Sequence, residues 1–304
     1  MRRGYVPLLL VLALIWGSSF MFIEIAIDDL SPAATMTGRL LFASAALGAV
    51  LVAKRGFGQA VRCIRDFGWA GVVLGVISTA LPFWLIAWGQ TRIDSGIAAI
   101  GNASMPIFVA LLATRFARHE RVTGWRAFGL VLGIVGVGVL VGVDPAGGWA
   151  GAVGTLAVIL ASISYAAGSL FSQHKLDGDS SGLLVSTASV LWGTLVILPF
   201  GIAQGPGGIP GWEAIVSVAV LGLLGTALGL MMYLRLLADY GSARGSLVVY
   251  LLPVVALFYG AVFLDEPLRV TALVGLALIL AGVAIASGLV RPLRRQQPVP
   301  APTP

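Results

Sequence analysis

The chain has 304 residues, of which 58% are hydrophobic and only 11% charged, with a formal net charge of +6. Soluble domains carry roughly a quarter charged residues, so this composition excludes an ordinary water-soluble domain and favours an integral membrane protein. The single cysteine, Cys63, excludes an internal disulfide.

Ten apolar segments are long enough to cross a bilayer, since a membrane-spanning helix needs about 20 apolar residues. The sequence therefore predicts an all-α integral membrane protein. The predicted spans are roughly 5–26, 32–53, 69–90, 95–115, 124–143, 150–171, 182–203, 213–234, 245–264 and 270–290.

The fourth and fifth spans recur later in the chain with the same landmarks. Pro106 aligns with Pro253, and further upstream Thr79 aligns with Thr226 at the same offset. Each copy holds five spans, an odd number, so the second copy must enter the membrane from the opposite side. Such inverted repeats occur in secondary transporters, which bind their cargo between the copies.

The predicted architecture is thus two inverted five-helix repeats around a central cavity. The first repeat covers residues 1–143 and the second covers residues 150–290. Residues 291–304 are basic and then proline-rich, and we expect them to form a disordered cytoplasmic tail because they cannot pack a core.

Positive charge is distributed unevenly over the predicted loops. If the N-terminus is cytoplasmic, Arg92 and Arg269 fall in outer segments and Arg39 falls inside a span, while the other Lys and Arg residues fall on the inner side. Cytoplasmic loops of membrane proteins carry such an excess. The high positive charge therefore indicates a multi-pass topology with both termini cytoplasmic, and does not indicate nucleic-acid binding.

The first span carries the segment Trp16-Gly-Ser-Ser-Phe20 near its middle. Small residues allow close helix packing and their hydroxyls can bond across helices, so packing alone is one interpretation. The other is that Trp16 and Phe20, which share a helix face, line a cavity to which Ser19 contributes a hydrogen bond. Tyr165 stands at the matching position of the sixth span.

Glu24 and Arg39 lie at similar depth on the first two spans. Charges within a membrane usually pair or face water. They could form a structural ion pair, but we favour Arg39 facing the cavity, where it can meet an anionic group. Glu24 is then the one plausible titratable group for coupling transport to protons, and without such coupling the protein would be a facilitator driven by the substrate gradient.

Other candidate binding residues lie in the third, fourth and ninth spans. Trp84 is an aromatic residue deep in its span, whereas Trp88 is nearer the interface. Proline interrupts a helix, and interruptions at matching positions of two repeats indicate a binding site. The remaining candidates are this proline pair and the residue one turn before each proline: Asn102, Pro106, Tyr250 and Pro253.

Two further patterns have structural interpretations. Glu120 and Glu266 each precede a span, where a negative charge favours the helix dipole. The glycines of the fifth and tenth spans indicate close helix contacts, either within the fold or in a homodimer.

The sequence lacks the residues that several chemistries require. It has no metal-ligand spacing and no phosphate-binding loop, so we expect no cofactor and no direct use of ATP. Enzymes concentrate His, Asp or Glu at a reaction centre, and only Glu24 and Arg39 lie at membrane depth. We therefore expect no enzymatic activity.

Several motifs, each weak alone, together match one pattern over residues 5–290. They are ALIWGSSF at 13–20, Arg39, IAAIGNASMPIFVALLA at 97–113, HERVTGWRAFGLVLGIVGVGVLV at 119–141, Pro253 and FLDEP at 263–267. With them the chain resembles EamA-type transporters, the ten-helix branch of the drug/metabolite transporter superfamily. It departs from the commonest pattern at Gln90, near a position where tyrosine often ends the third helix, and at Tyr165, where tryptophan is common.

This resemblance implies a bacterial inner-membrane transporter in which helices five and ten are peripheral to the cavity. It also implies alternating-access export of amino acids or related metabolites, with the bilayer and a small molecule as partners. Two other functions stay open: export of drugs, sugars or nucleosides, and a membrane scaffold without transport.

Overall fold

The computed structural model describes residues 4–116, 124–142, 148–175, 182–205, 208–245 and 247–287. The predicted tail at 291–304 and Glu120 lie outside these ranges. The described chain contains ten membrane helices and a short helical turn, Ser242–Gly245, between the eighth and the ninth. The membrane helices are α1 Tyr5–Ile27, α2 Pro32–Arg55, α3 Phe57–Gln90, α4 in two segments Ser95–Asn102 and Met105–Phe116, α5 Trp125–Gly142, α6 Gly148–Lys175, α7 Gly182–Ala203, α8 Trp212–Tyr240, α9 Leu247–Phe263 and α10 Val270–Ala286.

Seven of these helices are long and apolar enough to cross a membrane, and α5, α9 and α10 are shorter apolar helices. Large apolar side chains on the outer surface, such as Leu160 and Phe258, are more than half exposed. In a bilayer such side chains contact lipid. The prediction of an all-helical membrane protein with ten membrane helices is confirmed.

Helix α3 begins before its membrane span. Gly68 has φ +49°, a left-handed conformation that glycine adopts without strain, and it kinks the helix. The stretch before the kink carries Arg62 and Arg65, whereas the stretch after it is apolar. The kink therefore separates a charged lead-in from the span predicted to start at residue 69.

The helices pack with pseudo-two-fold symmetry. Helix α2 packs on its counterpart α7, and α5 packs on its counterpart α10. Helix α1 contacts α8 and α9, just as α6 contacts α3 and α4. Ser44 of α2 and Thr194 of α7 form a hydrogen bond of 2.8 Å between these central helices. This exchange of partners is the arrangement that the repeat predicts.

Two segments with wider, π-helical turns lie at matching positions of the repeats. They are Val76–Ala80 in α3 and Leu221–Leu228 in α8. A π-helical turn leaves backbone groups out of the regular hydrogen-bond pattern and often occurs at functional sites. Each segment contributes a buried threonine to the interior of the bundle, Thr79 in the first and Thr226 in the second.

The glycines of α5 and α10 face each other across a close helix contact within the fold. A Cβ atom on Gly282 would lie 2.6 Å from the Cα of Gly133, and one on Gly136 would lie 2.8 Å from the backbone nitrogen of Ile279. Contact within the fold thus accounts for these glycines.

Candidate functional site

A cavity of about 620 Å³ lies inside the bundle and is bounded by all helices except α5 and α10 among the described residues. It includes six of the ten predicted binding residues, namely Trp16, Ser19, Phe20, Arg39, Asn102 and Tyr165. The lining extends from Ile23 and Ile86 at one end to Ser172 and Gly182 at the other. Gly182 is exposed, so the cavity opens at this second end.

Arg39 lies on the cavity wall and is only 6% exposed. Its Nε donates a hydrogen bond of 2.9 Å to the hydroxyl of Thr226 in α8. Its Cζ lies 3.9 Å from the ring centroid of Phe83 in α3, a cation–π contact that stabilises a desolvated guanidinium. Three helices therefore fix this one positive charge.

Aromatic side chains form much of the remaining wall. The ring of Tyr165 meets that of Phe83 edge-on, with centroids 6.3 Å apart. Trp16 lies 5.2 Å from Tyr233, and its Nε1 donates a hydrogen bond of 2.9 Å to the carbonyl oxygen of Gly225. These contacts restrict the rotamers of the wall, so the cavity presents largely fixed apolar faces.

Thr79, Ser189 and Thr226 line the cavity but were not among the predicted binding residues. Thr79 bonds Ser189 at 2.8 Å in the first repeat's half of the wall, as Thr226 bonds Arg39 in the other half. The alignment of Thr79 with Thr226 in the two repeats was the sequence feature that could have identified these hydroxyl residues. Arg39 of α2 bonds a threonine of α8, and Ser189 of α7 bonds the equivalent threonine of α3. One side of the pseudo-symmetric site is therefore charged and the other is neutral.

Asn102 lies where α4 is interrupted, since Ala103 and Ser104 adopt a turn before the helix resumes at Met105. The hydroxyl of Ser104 donates to the Gly101 carbonyl at 2.6 Å, which satisfies one freed backbone group. Within the described chain, the buried Oδ1 of Asn102 has no hydrogen-bond partner. A buried acceptor without a partner is costly, and because this oxygen has almost no accessible surface, other atoms of Asn102 line the cavity.

The other four predicted binding residues do not line the cavity. Trp84 stacks on Trp88 with centroids 6.2 Å apart, and the Tyr250 hydroxyl pairs with Ser287 at 3.4 Å. Pro106 lies just after the interruption of α4, whereas Pro253 lies within the continuous helix α9. In α9, the cavity is lined instead by Val249 and Leu252.

Glu24 does not pair with Arg39. Its carboxylate accepts a hydrogen bond of 2.8 Å from Nε2 of Gln90, and the same nitrogen donates to the Phe20 carbonyl at 2.9 Å. These bonds hold α1 against α3 beyond the closed end of the cavity. The alternative of a Glu24–Arg39 ion pair therefore does not describe this structure.

Glu266 precedes α10, but its negative charge stabilises the N-terminus of α4 instead. Its carboxylate oxygens accept the backbone N–H groups of Ser95 at 2.8 Å and Gly96 at 3.1 Å, at the start of α4. The loop before α10 thus caps a helix of the first repeat at the closed end. No cluster of three or more metal-ligating side chains occurs in the described ranges.

The model of the EamA-like transporter family matches residues 4–142 and again residues 152–288. The chain belongs to the EamA-like transporter family. It is therefore a multi-pass membrane transporter, and the resemblance seen in its motifs is confirmed.

Relatives of this EamA-like transporter match along nearly its whole length. A probable terminal-alkyne amino-acid exporter of Streptantibioticus cattleyicolor is 30% identical, with 94% of each chain covered. A probable amino-acid metabolite efflux pump of Escherichia coli is 26% identical over 94% of this chain and 95% of its own. The uncharacterized inner membrane transporter YedA of the same species is 25% identical over 99% and 96%.

A protein of known crystal structure has a similar fold. It superposes with a TM-score of 0.64 at 18% sequence identity, covering 95% of this chain and 98% of its own. This similarity concerns the fold alone.

Proposed function

We propose that this EamA-like transporter exports amino acids or related small metabolites across the bacterial cytoplasmic membrane by alternating access. Arg39 is the observation that carries the proposal, because it places one guanidinium on the wall of a largely apolar cavity. A guanidinium presents N–H donors that match a carboxylate. Among described residues its one hydrogen bond is from Nε to Thr226, so its terminal nitrogens can meet the cargo.

The remaining wall suits the body of such a cargo. Trp16, Phe20 and Tyr165 provide apolar faces, and Ser19 and Asn102 provide hydrogen-bonding groups. The names of the relatives from S. cattleyicolor and E. coli, an amino-acid exporter and an amino-acid metabolite efflux pump, support the same cargo class. A hydrophobic cationic drug is disfavoured because Glu24 does not neutralise Arg39.

The open end of the cavity is proposed to face the cytoplasm. It lies at the end of the bundle where α1 begins and where most of the described Lys and Arg residues lie, and cytoplasmic loops carry that excess. Both termini would then be cytoplasmic, and the relative named an inner membrane transporter supports this location. We propose that the cargo leaves chemically unchanged.

Association into a homodimer stays a prediction.

The first test is efflux from proteoliposomes loaded with a labelled mixture of amino acids. We expect Arg39→Gln to slow efflux about tenfold or more, since a hydrogen bond to a charged group contributes about 1.5–3 kcal/mol. Arg92→Gln is the matched control, because Arg92 also stacks on an aromatic ring, that of Trp88 at 3.7 Å, outside the cavity lining. If Arg39→Gln exports cargo at the wild-type rate, Arg39 does not bind the cargo.

The same assay tests Glu24 as the coupling residue. Wild type and Glu24→Gln are compared with and without an imposed pH gradient. If the gradient accelerates wild-type efflux and the variant loses that response, Glu24 couples transport to protons. If the gradient has no effect on either protein, Glu24 has a structural role through Gln90 and transport follows the gradient of the cargo.

A further inference from the structure

The charge of the cavity wall is unbalanced. Arg39 is the one charged side chain that lines the cavity in the described part of the chain. Its contacts there are neutral, namely the Thr226 hydroxyl and the Phe83 ring. None of the three salt bridges between described residues includes it. The site therefore carries a net charge of one positive unit before cargo binds.

This imbalance matters most when the cavity closes around its cargo. An uncompensated charge at membrane depth is costly, and attraction between opposite charges strengthens as water is displaced. A monoanion would neutralise the guanidinium, a zwitterion would leave the site with its positive charge, and a cation would add a second one. Among cargo molecules with the same apolar part, charge balance therefore predicts that the monoanion binds most tightly and the cation most weakly.

We propose that the preferred cargo is an apolar carboxylic acid with one net negative charge, and that an ammonium group is not required. This inference rests on the proposed function, since it specifies which relatives of amino acids the same cavity accepts. N-acylated amino acids belong to this class.

The rest of the wall agrees with such a cargo. Trp16, Phe20 and Phe83 offer apolar faces to the body of the molecule. Asn102 also lines the cavity, and a side-chain amide can hydrogen-bond a neutral amide group as well as an ammonium group. An acylated amino group therefore keeps this hydrogen bond while it removes the positive charge.

A monoanionic cargo would also supply a driving force for export. Moving one negative charge out of a cell at an inside-negative potential of about 100 mV supports an outward concentration ratio of roughly 50-fold. A zwitterion gains nothing from the potential. Export would then need no proton and no titratable residue in the cavity.

Three ligands with the same aromatic body test the charge preference: N-acetyl-L-phenylalanine, L-phenylalanine and L-phenylalaninamide, with net charges of about −1, 0 and +1 at about pH 6, which is below the pKa of the α-amino group of the amide. Their binding to the purified transporter in lipid nanodiscs is measured by isothermal titration calorimetry. We expect the anion to bind about tenfold more tightly than the zwitterion and the cation to bind most weakly. Arg39→Gln should remove this order, whereas Arg92→Gln should keep it.

The potential is tested in proteoliposomes loaded with labelled N-acetyl-L-phenylalanine or L-phenylalanine, with protein-free liposomes measuring leakage. An inside-negative potassium diffusion potential should accelerate efflux of the anion and leave that of the zwitterion unchanged. Equal or tighter binding of the zwitterion, or an unchanged order in Arg39→Gln, would overturn the inference and leave amino-acid export standing. If none of the three ligands binds, both the inference and the proposed function fail.

Discussion

Thr226 connects the buried charge of the site to an irregular stretch of backbone. Its hydroxyl accepts the hydrogen bond from Nε of Arg39 and donates one of 3.0 Å to the carbonyl oxygen of Leu221, five residues earlier in the π-helical segment. A hydroxyl has one proton to donate and lone pairs to accept with. The backbone therefore determines which way the hydroxyl points, and the hydroxyl determines where the guanidinium lies.

We predict that Thr226→Val weakens cargo binding by about five- to tenfold, because valine has a similar shape but no acceptor for Arg39. A buried donor that loses its partner costs about 1–3 kcal/mol, so the melting temperature should fall as well. Thr226→Ser keeps the hydroxyl and should bind cargo nearly as wild type does. Calorimetric titration and thermal unfolding in detergent measure both effects. Equal affinity in Thr226→Val and wild type would contradict a positioning role for this hydroxyl.

At the scale of helices, the contact between α5 and α10 depends on the absence of side chains. Backbone atoms meet where Gly133 faces Gly282, and a Cβ on Gly282 would lie 2.7 Å from the carbonyl oxygen of Gly129. Small residues that let backbones approach closely are a main source of helix association in lipid, where the hydrophobic effect does not drive it. Neither helix lines the cavity, so this contact bears on stability and not on cargo.

Gly282→Val should therefore destabilise the protein by about 1–3 kcal/mol, the usual cost of overpacking a close contact. Gly138→Val is the control, because it lies on α5 and a Cβ there meets nothing within 4 Å. Thermal unfolding in detergent should show a clear loss for the first variant and little change for the second. Similar melting temperatures for the two variants would show that the close contact between α5 and α10 does not contribute to stability.

The sequence predicted the helices better than the faces they present. Span length depends on local hydropathy, and aligned landmarks such as Thr79 and Thr226 disclosed the repeat. The helices, however, are apolar on all sides, so no polar stripe shows which face is interior. Phe83 and Trp84 illustrate this, because adjacent residues point about 100° apart around a helix. Phe83 lines the cavity and contacts Arg39, whereas the predicted Trp84 does not line it.

At the scale of the whole molecule, a pseudo-symmetric bundle encloses a cavity with one open end. The closed end is held by Gln90, which bonds Glu24, and by Glu266, which caps α4. The open end lies beside Ser172 and Gly182. Inverted repeats can exchange their conformations, so the proposed alternating access predicts a second state that is open at the other end.

Cysteine labelling tests both the orientation and this alternation. In a Cys63→Ser background, Ser172→Cys reports on the open end of the cavity and Thr91→Cys, at an exposed position, reports on the opposite end. We expect a membrane-impermeant maleimide to label the first variant in inside-out vesicles and the second in intact cells. Saturating cargo should slow labelling of Ser172→Cys, since closure withdraws that site from water, and should leave Thr91→Cys unchanged. Labelling of Ser172→Cys mainly in intact cells would reverse the proposed orientation, and a rate that is indifferent to cargo would contradict closure at this end.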